Sequence, residues 1–397
     1  MLYTSPNSNL SSIMGTTPEE VETKGRKSDR VLLVSVILLM MFGSLAVYSS
    51  IAYFAQSHGT SAGSLVTGHI FKLGIAFFVM LIVSKIEYSN LAKLSRYAVI
   101  ISWILLVAVM IYGDLVFGAR RSLSVGGFSF QPSSFAAVAL ILHLAVLICK
   151  KQEYIKDFKN SFLPIMIWVS ITCLLIAMED FSSAALLMGI CLCMMFVGRM
   201  SMLQLSSIIL IGIIGGSALI LSSAERQSRV MQYVGQITEI KNDRFESAAG
   251  YQAQQAHIAI AQGQLFGVGI GQSTQRDFLP APYNDFIFAI IAEEYGMVGS
   301  LAIILIFGLI LIRGIGHIAR NARDLLGTLI ALGATLMITL YGFVNAAVAT
   351  GLFPVTGLPM PFISYGGTSM LFAGVMIGLL LNISKHSSSN EKKFYIG

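Results

Sequence analysis

The sequence predicts an all-α polytopic membrane protein of ten transmembrane helices, with both termini cytoplasmic and a long extracytoplasmic loop between spans 7 and 8. Three observations carry this. The 397-residue chain is 55% hydrophobic and only 12% charged, with a mean hydropathy of +0.76, whereas a soluble domain carries about 25% charge. Apolar runs of about 17 to 25 residues recur along its whole length, the length needed to cross a bilayer as a helix. Most of the 26 basic residues fall in alternate loops, as the positive-inside rule requires. That distribution also accounts for the net charge of +6 without nucleic acid as a partner.

Taken in order, residues 1–30 are polar, rich in Ser, Thr and Glu, and end in "KGRKSDR". This reads as a disordered cytoplasmic tail leading into an uncleaved first span. Spans are expected near 31–53, 68–86, 97–117, 134–149, 161–178, 182–198, 204–222, 286–312, 325–349 and 366–383, followed by a short cytoplasmic tail, 385–397. The inner side then receives Lys24, Arg26, Lys27 and Arg30, then Lys85, Lys93 and Arg96, then Lys150, Lys151, Lys156 and Lys159. Arg199, Arg313, Arg320, Arg323, Lys385, Lys392 and Lys393 follow on the same side. The outer loops 54–67 and 350–365 hold no Lys or Arg. Cys149, Cys173, Cys191 and Cys193 fall in or beside apolar runs. They form neither a disulfide framework nor a metal signature and read as small packing residues.

Two outer segments depart from the charge rule. "GARRSLSVGGFSFQPSS", 118–134, carries Arg120 and Arg121. Paired arginines bind phosphate bidentately; lipid headgroups or a neighbouring carboxylate would suit them equally. The segment 223–284 is too long for an ordinary connection, and a long loop translocates whatever its charge. Its middle reads as an amphipathic helix with Ile258, Ile260, Ala261 and Leu265 on the apolar side, lying on or dipping into the outer leaflet. "GVGIGQS" follows no strand, so its glycines point to tight turning or close backbone approach rather than to a nucleotide loop.

"LPAPYNDFIFAIIAEEYGMVGSL", 279–301, opens span 8 yet carries Asp285, Glu293 and Glu294. A helix from Asp285 to Arg313 would be about 42 Å long, more than a hydrocarbon core of about 30 Å. Either the helix tilts strongly, or "DFIFAIIAEE" packs inside the bundle and the span proper begins at Met297. In both cases the glutamates must face protein or a polar cavity. Glu294 is expected to be structural, with Lys72 a candidate partner. Asp285, at a helix start, suits a helix cap on spacing alone. Its company on the outer face, an arginine pair and a long loop, suits a general base acting on a phosphate-bearing lipid.

The last outer loop, "ATGLFPVTGLPMPFISYGGTSML", is uncharged and rich in Pro and Gly. Irregular backbone survives at membrane depth only when buried in protein or lining a cavity. Cavity lining is expected, ending in the polar cluster Ser364, Tyr365, Gly366, Gly367, Thr368 and Ser369.

These stretches, with "GYQAQQAHIAIAQGQLFGVGIGQS" and "GARRSLSVGGFSFQPS", resemble the shape, elongation, division and sporulation (SEDS) family from span 1 to span 10, in the same order. The resemblance implies a multi-pass protein of the bacterial cytoplasmic (inner) membrane, its active site facing the periplasm. It implies a peptidoglycan glycosyltransferase that polymerises lipid II beside a class B penicillin-binding protein and other divisome membrane proteins. Asp285 matches the family's essential aspartate before "FIFA" and would deprotonate or orient the acceptor hydroxyl. Arg120 and Arg121 match its basic pair and, with Lys72, would hold the pyrophosphate. Gln131, Ser364, Tyr365, Gly366 and Gly367 fall in its motifs as further substrate contacts. A divalent cation (Mg or Mn) would assist the leaving group, but the sequence shows no dedicated cage. "ARR", "FSFQPS" and "GYQ" lean towards the family's division member over its elongation member.

The chain departs from the family pattern at Ala281, Tyr283 and Asn284, at Ser134 in place of a glutamate, at Glu179-Asp180 and at Gln264. The lost glutamates are the best support for a rival, a non-catalytic scaffold recruiting the penicillin-binding partner. A lipid II flippase is the other rival. It fits ten spans and intramembrane charge, but no internal repeat is visible and the key carboxylate lies at the outer rim rather than midway.

Overall fold

The computed structural model describes residues 28–57, 61–116, 119–125, 128–238, 248–279 and 283–386, and everything below refers to these. Both expected tails lie mainly outside the described residues. The chain runs α1 (Arg30–Ser57), α2 (Ala62–Val83), α3 (Tyr88–Tyr112), β1 (Asp114–Val116), β2 (Ala119–Val125) and β3 (Phe128–Phe130). It continues α4 (Pro132–Lys150), α5 (Leu163–Glu179), α6 (Phe181–Val197), α7 (Met202–Leu221), α8 (Ala224–Thr238) and α9 (Ala248–Gly263). Last come α10 (Ile287–Leu311), α11 (Leu325–Ala349) and α12 (Thr368–Lys385). Among the described residues, nine helical segments are long and apolar enough to cross a membrane; α6, at 17 residues, is a shorter apolar helix. Each falls where an apolar run was expected.

Three features differ from expectation. The fold is not wholly helical: Asp114–Val116, Ala119–Val125 and Phe128–Phe130 form an antiparallel sheet in the order β1-β2-β3, with Leu123 opposite Phe130 and Leu115 opposite Arg120. The short polar-apolar alternation of "ARRSLSV" supplies the two-residue period of a strand. Second, α9, expected on the outer leaflet, packs against α10 at Gly263; Ala253, Ala256 and Ala259 are buried, Ile260 is partly buried against the core, and Leu265, just past the helix, is 52% exposed. A Cβ on Gly263 would sit 1.8 Å from the Ala292 carbonyl oxygen, so small residues are what let the two backbones meet. Third, Lys72 is not the partner of Glu294, as described below.

The bundle centres on α4, α11 and α12, the most enclosed of the spans, while α7 buries only Gln204, Leu205 and Ile208 and lies at the rim. α12 presents Gly374 and Gly378, one turn apart, to α2; added Cβ atoms would meet the carbonyl oxygens of Ala76 at 2.5 Å and Met80 at 2.8 Å. This small-xxx-small contact fixes α2 against α12. One end of the bundle is laced by polar contacts. Asp29 caps α1 through the Leu32 amide (3.0 Å) and lies 3.6 Å from His317 and 4.0 Å from Arg313. Tyr88 donates to Asp324 (3.0 Å), and Lys385 and Asn382 both donate to the Ser84 carbonyl. The chain's inter-helix segments of expected positive charge thus gather together.

Candidate functional site

At the opposite end, α10 is built in two pieces. Gly296 (φ 67°, ψ −163°) interrupts it after Tyr295, a conformation that suits glycine alone. The break frees two carbonyls and two amides, and the loop after α9 takes all four. The amides of Val268 and Gly269 donate to Glu293 and Glu294 carbonyls (2.9 and 3.1 Å). Met297 and Val298 amides donate to Gln264 and Leu265 (2.8 and 3.2 Å). Gln264 sits at φ 46° and Gly267 at φ 81°, where a Cβ would lie 2.1 Å from the Glu294 carbonyl oxygen. The glycines of "GVGIGQS" therefore serve close backbone approach, here to the chain's own helix. Residues Phe286–Glu294 are all buried, so "DFIFAIIAEE" does pack inside the bundle before the helix restarts at Met297.

The two glutamates hold this junction. Glu293, wholly buried, accepts from the Ser273 hydroxyl, the Thr274 amide (2.9 Å) and hydroxyl (3.2 Å), and the Gln275 amide (3.3 Å). Glu294 accepts from the Ser49 hydroxyl of α1 and is faced by the Arg276 guanidinium. Arg276 in turn donates to the carbonyls of Ser49 (3.1 Å) and Gly271 (3.0 Å). The structural role expected for Glu294 stands, with the Ser49 hydroxyl as its hydrogen-bond partner and the Arg276 charge acting on it from nearby.

The turn before α10 carries Asp285, half-buried. The N-cap position is Phe286, one residue further on, whose side chain cannot cap; the plain helix-cap reading of Asp285 is therefore not what the backbone adopts. Three contacts bind this turn to the irregular segment before α12. The Tyr365 amide donates to the Tyr283 carbonyl (2.8 Å), the Ser364 hydroxyl to the Asn284 carbonyl (2.7 Å), and Asn345 of α11 to the carbonyls of Asp285 (3.0 Å) and Leu358 (2.8 Å). Ser364 also accepts from the Met360 amide (2.8 Å). Its hydroxyl is thus committed to joining the two segments. The Tyr283 and Tyr365 rings meet edge to face at 5.6 Å, and the Lys72 ammonium lies 4.6 Å from the Tyr365 ring centre. Burial first, then Tyr365 and Asp285, push the Tyr283 phenol up to about 12.

Gly367 packs against β3, where a Cβ would lie 2.8 Å from the Ser129 carbonyl oxygen, and the Gln131 amide donates to Thr368 (2.8 Å). The motifs around Lys72, Gln131, Asp285 and residues 364–367 therefore converge. Arg120 and Arg121 belong to β2, the strand paired with β3; their side chains, like Ala281, lie outside the described residues. A cavity of about 40 Å³ opens behind the cluster, lined by Gln131, Ser134, Tyr341, Met360, Ser364 and Ser369 among others; it has room for a few waters. The irregular segment thus lines a cavity, as its composition requires. Among the described residues no three His, Cys, Asp or Glu side chains gather to hold a metal. Sequence reasoning passed over His69, whose ring stacks on Tyr365 at 5.6 Å, and Asn345; only their isolation as polar residues in apolar runs marked them.

Residues 29–389 match the FtsW/RodA/SpoVE family model, described as "Cell cycle protein". Stage V sporulation protein E of Bacillus subtilis (strain 168) is 35% identical over 369 residues, covering 92% of this chain and 99% of that one. "Probable peptidoglycan glycosyltransferase FtsW" of the same organism is 34% identical over 385 residues, covering 92% and 93%. Two solved structures share the fold at 22% identity. One is a chain of a peptidoglycan synthase complex that coordinates polymerization and crosslinking (TM-score 0.70, covering 90% of this chain and 97% of that one). The other is the rod shape determining protein RodA of Thermus thermophilus (TM-score 0.65, 91% and 98%). Matched by the family model from residue 29 to residue 389 and by relatives covered over nearly their full length, the chain belongs to the FtsW/RodA/SpoVE family of cell cycle proteins.

Proposed function

We propose that this protein is a peptidoglycan glycosyltransferase that polymerises lipid II at the outer face of the bacterial cytoplasmic membrane. The observation that carries the reading is the joining of the Asp285 turn to the segment 358–367 beside Lys72, through Tyr283, Asn284, Ser364, Tyr365 and Asn345, in a chain whose relatives include FtsW. Asp285 accepts the proton of the acceptor sugar hydroxyl. The freed oxygen attacks the donor's anomeric carbon, and the bond from that carbon to the pyrophosphate oxygen breaks. The polyprenyl pyrophosphate departs with the bonding pair, and cations are needed where its charge develops. Lys72, Arg120 and Arg121 supply them.

In this reading the chain crosses the membrane ten times, counting the shorter α6, with both termini in the cytoplasm and the segment 223–284 outside. A class B penicillin-binding protein is the proposed partner, supported by the fold shared with a chain of the synthase complex. The motif-based leaning to a division role stands beside relatives from both sporulation and division. Purified protein and partner supplied with labelled lipid II test the reading. Glycan chains should form and should vanish with Asp285→Asn, and full polymerisation by that variant would defeat the assignment of the base.

A further inference from the structure

His69 lies on α2, three residues before Lys72, so the two side chains share a helix face. Its imidazole is 0% exposed, and neither ring nitrogen has a hydrogen-bond partner. A neutral imidazole carries one donor and one acceptor, and burying both unmet is costly in a place any apolar side chain could fill. The ring lies nearly parallel to Tyr365 (5.6 Å, 22°), the ring that the Lys72 ammonium also covers and that Tyr283 meets edge-on. No described Asp or Glu lies within 4.0 Å of Lys72, since the ion pairs among the described residues involve Asp29 and Asp277. A cation with no described carboxylate in ion-pair reach and an N–H donor with no described partner thus stand side by side, one aromatic ring from the turn that carries Asp285. The chemistry that satisfies both is an anionic oxygen with several lone pairs.

We propose that His69 is a substrate-contacting residue. With Lys72 it forms a phosphate subsite for a lipid-linked pyrophosphate, its N–H donating to a phosphate oxygen while the ammonium supplies charge, with Tyr365 as the movable cover. This rests on the glycosyltransferase reading for its substrate, but binding can be measured apart from turnover. The full chain, in phosphatidylcholine nanodiscs, is titrated with farnesyl pyrophosphate and followed by thermal stability; polymerisation of lipid II with the partner is measured in parallel.

His69→Leu should weaken farnesyl pyrophosphate binding on the order of tenfold or more and raise KM for lipid II, while His69→Gln, which keeps a donor, should stay within about threefold of the unaltered chain. Equal binding and equal KM in His69→Leu, with unchanged or higher thermal stability, would show a packed core imidazole and overturn the proposal. So would equal competition by phosphatidylglycerol in the discs, which would make the subsite a general headgroup contact. If the unaltered chain forms no glycan yet binds farnesyl pyrophosphate in a His69-dependent way, the glycosyltransferase reading falls and the phosphate contact stands.

Discussion

Glu293 shows how a carboxylate becomes affordable inside an apolar bundle. It accepts two backbone amides and two hydroxyls from a single turn, residues 273–275, and such charge-assisted bonds are worth more than neutral ones. Glu293→Gln keeps the shape but replaces one acceptor oxygen by a donor facing other donors. It should cost about 1.5–3 kcal/mol, read as a lower melting temperature and faster proteolysis within 264–279. Tyr283 offers a pH test. Its phenol is raised from 10.0 to about 12, by burial before the neighbouring Tyr365 and Asp285. Below pH 10 it is protonated in both folded and unfolded chains. Between about 10 and 12 the unfolded chain ionises and the folded one resists, so stability falls across that window. Tyr283→Phe should flatten the decline in melting temperature between pH 10 and 12; an unchanged decline would show that other groups govern it.

At the scale of elements, two junctions position the site, and glycine decides both. The break at Gly296 lets the loop after α9 enter α10, and a Cβ there would lie 2.4 Å from the Gly267 nitrogen and 2.5 Å from the Leu265 carbonyl oxygen, at a φ that L-residues rarely adopt. Gly296→Ala should destabilise the protein by about 3 kcal/mol or more, seen as loss of folded protein from detergent extracts; a variant of normal melting temperature would show that the loop simply moves aside. The α2–α12 contact is the second. Gly374→Leu should pry apart the helices carrying Lys72 and the 364–367 motif, lowering both stability and lipid II use, whereas Gly212→Leu on α7, with nothing within 4 Å of an added Cβ, should leave both unchanged.

Across the whole molecule, the alternating distribution of charge and the lacing of Asp29, Arg313, Tyr88, Asp324 and Lys385 at one end predict a sidedness. A cysteine placed at the exposed Leu352 should react with a membrane-impermeant maleimide in intact spheroplasts, and one at Lys159 only after permeabilisation. The reverse pattern would invert the topology. On that topology the Asp285 turn would face outside, away from the positively charged loops.

The helices themselves were legible in the residues because span length and hydropathy are local, although α3 runs Tyr88–Tyr112 rather than 97–117, since residues 114–116 of the expected span join a strand instead. So were the enclosure of Glu293 and Glu294 and the cavity-lining role of the Pro-Gly segment, since burying charge or irregular backbone in lipid is prohibitive. The sheet at 114–130 was missed because its alternation is short and embedded in a stretch that also reads as a loop. The docking of α9 on the bundle was not foreseen, because small residues such as Ala253, Ala256, Ala259 and Gly263 carry little hydrophobic signal and become a packing face only when another backbone approaches closely. The partner of Glu294 proved to be Ser49 rather than Lys72, and His69 came to stack on Tyr365. Such pairings join residues hundreds of positions apart. They depend on where Gly296 breaks a helix and where Gly374 lets two others touch, and no local pattern encodes either.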